Sequence, residues 1–293
     1  MGEAHRSRRR SEWMLTLPSF LWLVVLFLLP ALVVVAIACK PADPFGGFGA
    51  GWTLDTLGGL GNPHYPVIVA RTIWYSFLTT LFCLLLATPM AYQMARTAVR
   101  WRGVLLLAVI VPFWTSFLVR IFAWKALLHP EGPLKWILVH LGLATPEAQL
   151  LYGPGAILLV LVYTELPFAI LPIYAAAEKF DFRLVEAARD LGARPFRAFR
   201  KVFLPGIRRG VLTAVLVVFI PALGSYIIPD LVGGPGSEML GNKIAQRVFT
   251  DRNLPHAAAL SAVLVLAVLA PLVAVLALQR KNKKSDIVMG EAP

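Results

Sequence analysis

Few residues in this chain have the types and spacing that chemistry requires. The segment Gly236-x4-Gly241-Asn242-Lys243 approaches a phosphate-binding loop, but asparagine stands where lysine should follow the second glycine, and no serine or threonine follows Lys243. No predicted strand precedes it, so we reject nucleotide binding at this segment. The sequence has no His-Glu-x-x-His pattern, no Gly-x-Ser-x-Gly elbow and no clustering of its five histidines. We therefore expect no enzyme activity, no cofactor and no metal site in this chain.

One carboxylate stands out because of its surroundings. Glu165 is the only acidic residue in a long apolar stretch, next to the proline at position 167. A carboxylate inside a membrane is costly and is by default a hypothesis for a functional site. It has two interpretations. It lines a path through the membrane and compensates a positive charge there, or it is the structural partner of Arg120 or of a basic residue in a partner subunit.

Three further polar residues are candidates at the outer side of the predicted membrane protein. Tyr226 and Asp230 follow the fifth apolar window and are placed to line the outer mouth of a path. The alternative for these two is an interfacial anchor and a solvated loop acid. Glu238 lies in a Gly/Pro-rich segment and is a candidate contact for a partner protein on that side.

The composition identifies lipid as the solvent. The chain has 293 residues, of which 58% are hydrophobic and 15% charged, whereas soluble domains have about 45–50% apolar and about 25% charged residues. The formal net charge of +12 does not indicate nucleic-acid binding, because the aromatic residues lie within apolar runs. Neither Cys39 nor Cys83 belongs to a metal-binding or redox motif, and Cys83 lies within an apolar run.

Apolar windows with almost no charge recur six times. Each is long enough to cross about 30 Å of hydrocarbon as a helix, and a helix is required because backbone polar groups in lipid must be paired within the segment. The sequence therefore predicts an all-α membrane protein with six transmembrane helices. The windows are Trp13–Cys39, Thr72–Ala95, Gly103–Leu128, Leu150–Ala177, Gly210–Pro229 and Asn253–Gln279.

The first window has the basic flank of a signal peptide, and residues 36–39 faintly resemble a lipoprotein cleavage site. Its 27 residues exceed the apolar core of about 7–15 residues that a signal peptide carries, so we interpret it as a retained first helix. With the N-terminus inside, 20 of the 28 basic residues fall in cytoplasmic segments, as the positive-inside rule requires. Both termini are therefore predicted to be cytoplasmic.

The connection 178–209 differs from the others because it is rich in charge of both signs. Leu184, Ala187, Ala188 and Leu191 form one apolar face at helical spacing. Asp181 is placed to cap the start of that helix, Gly192 to end it, and Pro195 to open a second helix. In this second helix, Phe196, Phe199 and Phe203 line one side, and Arg197, Arg200 and Lys201 the other. By periodicity alone, this pair fits an anionic lipid surface or a docking site for a protein equally well.

The spacing within this connection resembles a known motif. Glu186-Ala187-Ala188, Gly192, Val202, Leu204 and Pro205 follow the pattern EAA-x3-G-x9-I-x-LP of ABC importer permeases, with valine in place of isoleucine. In that family this loop docks on the ATPase subunit. The resemblance therefore implies that Glu186, Ala187, Ala188, Gly192, Leu204 and Pro205 couple the chain to an ATPase.

Several other stretches are similar to the spermidine/putrescine importer permeases, specifically to the first permease subunit of that branch. The stretches are 112–124, 166–168, 171–176, 221–224 and 233–244. The resemblance implies a polyamine as solute, with an opine, a phosphonate or another small polar solute as the alternative. A secondary transporter driven by ions and a membrane-embedded enzyme are the rival classes, but we find neither internal repeats nor a catalytic cluster.

The resemblance also implies an organisation and a set of partners. The fold expected is that of a type I importer permease in a bacterial inner membrane, with ATP hydrolysis in a separate subunit. The expected partners are a second homologous permease, two ATPase subunits, a periplasmic solute-binding protein and the lipid bilayer, without nucleic acid. The expected segments are 1–40 (cytoplasmic segment and peripheral first helix), 41–68 (periplasmic loop), 69–279 (five-helix core with coupling loop 178–209) and 280–293 (cytoplasmic tail).

Overall fold

The computed structural model describes residues 2–269, and their side chains from residue 16 onward. The predicted tail 280–293 and the end of the sixth window lie outside the described residues. The described chain is helical, and its only β-structure consists of two isolated bridges. The helices are α1 (Gly2–Ala38), α2 (His64–Arg96), α3 (Val99–Ile110), α4 (Phe117–Leu128), α5 (Pro133–His140), α6 (Pro154–Glu178), α7 (Arg183–Asp190), α8 (Pro195–Gly206), α9 (Arg208–Gly224), α10 (Ile227–Val232), α11 (Leu240–Phe249) and α12 (Leu254–Leu269).

The lengths of these helices agree with the predicted class of membrane protein. Within the described residues, Thr16–Ala38, α2 and α6 are each long and apolar enough to cross a membrane. Two bent helix pairs raise this number to five if each pair counts as one span, and α12 is a shorter apolar helix in the sixth window. The all-α fold class is confirmed, and the six predicted windows all contain helix.

The sequence predicts one straight helix for the third window, but the structure shows a break within it. The pair Val99–Trp114 and Phe117–His140 is bent by 88°. Pro112 lies in a 3-10 turn, and Thr115 and Ser116 have extended backbone with ψ of 155° and 136°. Proline removes a backbone donor and ends regular helix at this point, so the window folds as a broken span.

The fifth window is also interrupted. Helix α9 ends at Gly224, Ser225 has extended backbone, and the short helix α10 begins at Ile227. Pro229, which the sequence analysis placed at the end of the fifth span, therefore belongs to a separate helix. Sequence hydropathy did not detect this break because both sides of it are apolar.

Helix α6 forms the centre of the compact unit 66–242. Ile157, Val160 and Leu161 near its start are buried with residues of α4 and α10. Ala169 and Ile173 farther along are buried with residues of α2, α8 and α9. One helix therefore holds together two apolar cores at opposite ends of the unit.

A second compact unit consists of residues up to 65 together with 243–266. Ala38 at the end of α1 is buried with Ala258 and Ala259 of α12. The hydroxyl of Tyr65 lies 2.7 Å from His256 Nε2 and accepts a hydrogen bond from Arg247 Nη2 at 3.1 Å. The hydrogen bond from Arg247 to Tyr65 raises the pKa of Arg247.

Helices α6 and α9 approach each other closely because Gly210 has no side chain. A Cβ atom added at Gly210 would lie 2.5 Å from Ala176 Cβ and 2.7 Å from the Pro172 carbonyl oxygen. Small residues of this kind allow two membrane helices to approach closely and to gain dispersion contacts. At Gly103, in the same unit, an added Cβ would have no atom within 4 Å.

We predict that Gly210→Ala destabilises the protein and that Gly103→Ala does not. The first substitution forces α6 and α9 apart, a form of overpacking that costs about 1–3 kcal/mol. The second exchanges glycine for a better helix former, which is worth up to about 1 kcal/mol in the opposite direction. Thermal unfolding of the detergent-solubilised variants measures both effects, and equal shifts in the two midpoints would contradict the proposed close contact.

Candidate functional site

The connection between α6 and α9 folds as the sequence predicted, as two short helices with a glycine corner. Asp181 Oδ1 accepts a hydrogen bond from the Arg183 backbone N–H at 3.0 Å, at the first residue of α7. Gly192 has a φ of 85°, a value that favours glycine. Its N–H donates to the Arg189 carbonyl, and the Ala193 N–H donates to the Ala188 carbonyl. These two bonds form a Schellman motif, which ends the helix.

The apolar stripe of α7 points away from the chain's own core. Leu184 is 54% exposed and Leu191 is 90% exposed, whereas the neighbouring Val185 is only 4% exposed. Ala187 is exposed, and Ala188 is half-buried. Three of the four residues that sequence periodicity assigned to the apolar face are therefore exposed in this chain, whereas Ala188 and Val185 pack α7 against the core.

The predicted phenylalanine face of α8 needs a correction. Pro195 opens the helix as expected, but Phe196 is 73% exposed, whereas Phe203 is fully buried. The turn Phe199–Phe203 is π-helical. A wider turn places residues four apart nearly above each other, so Phe199 and Phe203 stack while Phe196 lies on another side. The predicted basic side (Arg197, Arg200 and Lys201) is exposed.

An open concavity of about 480 Å³ lies at the corner of the two helices. Glu186 lies on its wall and is exposed to solvent. Leu204 and Pro205 lie at the far end of α8, just before a 75° change of direction into α9. The concavity is lined by charged residues of both signs together with small residues, namely Glu186, Arg189, Asp190, Gly192, Ala193, Arg194 and Pro195.

Glu165 lies inside the chain and not on its surface. Its side chain is in the middle of α6 and the residue is 7% exposed. Its Oε2 atom is fully buried and has no hydrogen-bond partner. Among the residues that the structure describes, Glu165 forms no ion pair, so the pair with Arg120 that the sequence analysis considered is not formed within this chain.

Arg120 instead lies over aromatic rings at the break in the third window. Its guanidinium carbon is 4.4 Å from the centroid of Phe113 and 6.0 Å from that of Phe117. Such cation–π contacts stabilise a cation by about 0.5–2 kcal/mol. Its Nε and Nη1 atoms are buried without a hydrogen-bond partner. Arg120 and Glu165 therefore each carry unpartnered buried atoms at separate places.

The three outer candidates, Tyr226, Asp230 and Glu238, are all exposed. Tyr226 is 42% exposed, and its carbonyl accepts a hydrogen bond from Asn242 Nδ2 at 2.8 Å. Asp230 is exposed on α10. The carbonyl of Glu238 accepts a hydrogen bond from Arg71 at 3.3 Å. In the part of the chain from residue 16 to 269, no group of three His, Cys, Asp or Glu side chains could hold a metal ion.

A family model described as "binding-protein-dependent transport system inner membrane component" matches residues 5–283. The chain belongs to this family. It is 37% identical to the spermidine/putrescine transport system permease protein PotB of Haemophilus influenzae over 242 residues, 83% of this chain and 85% of that protein. It is 34% identical to PotB of Escherichia coli K12 over 245 residues, 84% of this chain and 89% of that protein.

Solved structures show the same fold for this permease. A bacterial ABC transporter involved in the import of the acidic polysaccharide alginate matches with a TM-score of 0.67 and 17% identity, covering 95% of this chain and 99% of that chain. A bacterial alginate ABC transporter in complex with an alginate pentasaccharide-bound periplasmic protein matches with a TM-score of 0.63. The family match and the PotB relatives confirm the importer permease class, and the rival classes of secondary transporter and membrane enzyme are not retained.

Sequence reasoning missed one feature of this permease, which we call the ring cluster. Its members are packed with centroids 4.8–5.9 Å apart. Aromatic pairs in such arrangements are worth about 0.5–1.5 kcal/mol each beyond their buried area. Four members lie close together in the loop, so their proximity can be predicted from the sequence. The fifth lies in α2, almost ninety residues earlier, and its contact with the others cannot be predicted in this way. The ring cluster consists of Tyr92, Phe180, Phe182, Phe199 and Phe203.

Proposed function

We propose that this permease forms a path for polyamines such as spermidine and putrescine across a bacterial inner membrane. It works together with a second homologous permease, two ATPase subunits and a periplasmic solute-binding protein. The observation that carries the proposal is similarity to PotB proteins at 34–37% identity over more than four fifths of the chain. A polyamine is a flexible cation, so its path requires groups that compensate positive charge.

We propose further that both termini and the loop 178–209 face the cytoplasm. The basic residues support this orientation, because nine of them lie between Lys179 and Arg209. A periplasmic location would place these charges on the side that the positive-inside rule disfavours.

A cysteine introduced at Arg197 should resist membrane-impermeant thiol reagents in intact cells. The measurement requires replacement of Cys39 and Cys83. Glu147→Cys, in the exposed connection before α6, provides the control, since this position is predicted to be periplasmic and should be labelled from outside. Labelling of Arg197→Cys before cell lysis would refute the orientation.

The coupling role is assigned to Glu186, Ala187, Ala188, Gly192, Leu204 and Pro205. Two observations support it. The apolar residues Leu184 on α7 and Leu191 directly after it are exposed, and the concavity beside them is lined by Glu186 and other charged residues. A surface with an apolar knob beside an open, charged concavity fits a protein partner. We infer that ATP-driven movement of the ATPase subunits displaces this loop and thereby tilts the membrane helices.

We expect Gly192→Val to impair uptake of labelled putrescine while the protein remains in the membrane. A branched side chain in a left-handed conformation costs about 1–2 kcal/mol, and it also enters the contact with the ATPase. Gly142→Val is the matched control, because Gly142 has a φ of 69°, and at both glycines an added Cβ would have no atom within 4 Å. Glu186→Ala should give a milder defect than Gly192→Val.

Uptake and co-purification of the ATPase chain, identified by mass spectrometry, are measured for each of these variants. The coupling role would be wrong if Gly192→Val and Glu186→Ala both kept wild-type uptake and wild-type association. It would also be wrong if Gly142→Val impaired uptake as much as Gly192→Val, because backbone strain alone would then account for the loss.

We assign Glu165, Tyr226 and Asp230 to the solute path. The assignment to the solute path is best supported for Glu165, since its buried carboxylate oxygen has no partner and is available to a cation that reaches it. The burial of Glu165 within its own chain requires that helices separate before a solute contacts it. Tyr226 and Asp230 lie near the outer end and are accessible in this chain.

Glu165→Gln should lower uptake of putrescine and spermidine by roughly tenfold with unchanged membrane abundance, because one charge-assisted contact is worth about 1.5–3 kcal/mol. Glu147→Gln, an exposed acid, is the control and should have no effect. Normal uptake at normal abundance in Glu165→Gln would exclude the path role. Reduced abundance that replacement of Arg120 restores would instead indicate an ion pair formed in the assembled importer.

A further inference from the structure

Tyr92 is the only member of the ring cluster that does not belong to the loop or its flanks. It lies one turn before the end of α2. Its ring centroid is 5.7 Å from that of Phe182, which precedes α7, and 5.2 and 4.8 Å from those of Phe199 and Phe203 in α8. One side chain of α2 therefore contacts both halves of the helix pair.

The geometry of these contacts fixes Tyr92 in place. The planes of all three neighbouring rings are inclined to that of Tyr92 by 67–83°, the edge-to-face arrangement that aromatic rings prefer. Phe203, the nearest neighbour, is fully buried. The Tyr92 hydroxyl accepts a hydrogen bond from Arg96 Nη1 at 2.8 Å, and the Arg96 guanidinium lies over the same ring. Because the Tyr92 ring has contacts on several sides, a displacement of its neighbours also displaces the ring.

The position of Tyr92 along the chain makes this contact mechanically important. Helix α7 and helix α8 are continuous in sequence with α6 and α9, so the backbone carries movement of the loop to those two helices. Helix α2 has no such covalent connection, because about 80 residues separate Arg96 from the loop. Side-chain packing must therefore carry movement from the loop to α2.

We propose that Tyr92 is the positioning residue through which the loop 178–209 moves α2 during transport. The inference rests on the coupling role proposed above. Tyr92 contacts neither solute nor ATPase in this proposal. It makes α2 follow the loop, so that a displacement at the ATPase surface also moves the 33-residue helix α2.

The test uses the complete importer, purified with its native partner subunits and reconstituted in lipid vesicles. Labelled putrescine uptake and ATP hydrolysis are measured on the same preparation, and their ratio is the readout. Tyr92→Leu removes the ring, and Tyr92→Met removes the ring while keeping more of the volume. Tyr92→Phe keeps the ring and loses only the hydroxyl. Phe82→Leu is the matched control, because Phe82 lies on α2 and is 41% exposed.

We expect Tyr92→Leu and Tyr92→Met to keep ATPase association and ATP hydrolysis, while transport per ATP falls by roughly three- to thirtyfold, the range seen for residues that couple two sites. Tyr92→Phe should restore the ratio, and Phe82→Leu should leave it unchanged. An unchanged ratio in Tyr92→Met would overturn the proposal. A ratio that also falls in Tyr92→Phe would overturn it, because the ring contacts would then not be the decisive element.

This result can be separated from failure of the coupling role itself. If Gly192→Val and Glu186→Ala impair transport while Tyr92→Met does not, the loop docks on the ATPase, and α2 receives its movement by another contact. If all of these variants transport normally with normal association, the coupling role of the loop is wrong, and the role of Tyr92 is wrong with it.

Discussion

The absence of water from the hydrocarbon core is the constraint on which the rest of this structure depends. A polar group in lipid must find its partner within the protein. In α2 the hydroxyls of Thr72, Ser76, Thr80 and Thr88 each donate to the carbonyl four residues earlier, at 2.7–2.8 Å. The hydroxyl of each of these four residues therefore has a hydrogen-bond acceptor within α2.

The helix breaks obey the same constraint. At the break in the third window, Thr115 Oγ1 donates to the Pro112 carbonyl at 2.8 Å. At the break between α9 and α10, Asn242 Nδ2 donates to the Tyr226 carbonyl at 2.8 Å. Thr72 has a double role, because its hydroxyl also accepts the backbone N–H of Leu240 at 2.8 Å. Irregular backbone is tolerated in this permease where a side chain, either local or from another segment, pairs with it.

Against this background, the polar atoms left without a partner carry information. Glu165 Oε2, Thr79 Oγ1 and two nitrogens of Arg120 are buried and unpartnered. The structure contains one permease chain, whereas the proposed importer contains a second permease and a solute. Buried polar atoms without a partner in this chain are therefore the best candidates for contacts with the second permease or with the solute. The α2 hydroxyls that already donate hydrogen bonds within the helix are weaker candidates.

The sequence predicted most of what local chemistry determines. Asp181, Gly192 and Pro195 punctuate the loop as expected, because a cap, a left-handed corner and a first helical turn each depend on one residue type. The composition and the six apolar windows predicted the fold class. These features need only a few neighbouring residues, so a single sequence contains them.

What the sequence could not predict depends on distant segments or on small geometric changes. The ring cluster needs Tyr92 beside Phe203, a contact between segments more than a hundred residues apart. The π-helical turn shifts Phe196 out of the face that a regular period assigns to it. Charge alone predicts that Glu165 pairs with Arg120. The bend at Thr115 and Ser116 changes the direction of α4, however, and Arg120 lies over the ring of Phe113 instead.

The exposed residues of the loop support the proposed protein partner over the anionic lipid surface that periodicity left open. A helix lying on lipid buries its apolar residues in the membrane and keeps its charges on the opposite side. Directly after α7, Leu191 is 90% exposed beside a concavity lined by Arg189, Asp190 and Arg194. Anionic headgroups can pair with the two arginines but repel Asp190 and Glu186 on the same rim, whereas a protein surface provides an apolar pocket and polar partners of both signs. The same arrangement explains why a glycine at the corner is useful. With φ of 85° and no side chain, Gly192 turns the chain within one residue and leaves the concavity open, so that a partner can contact the backbone of both helices at once.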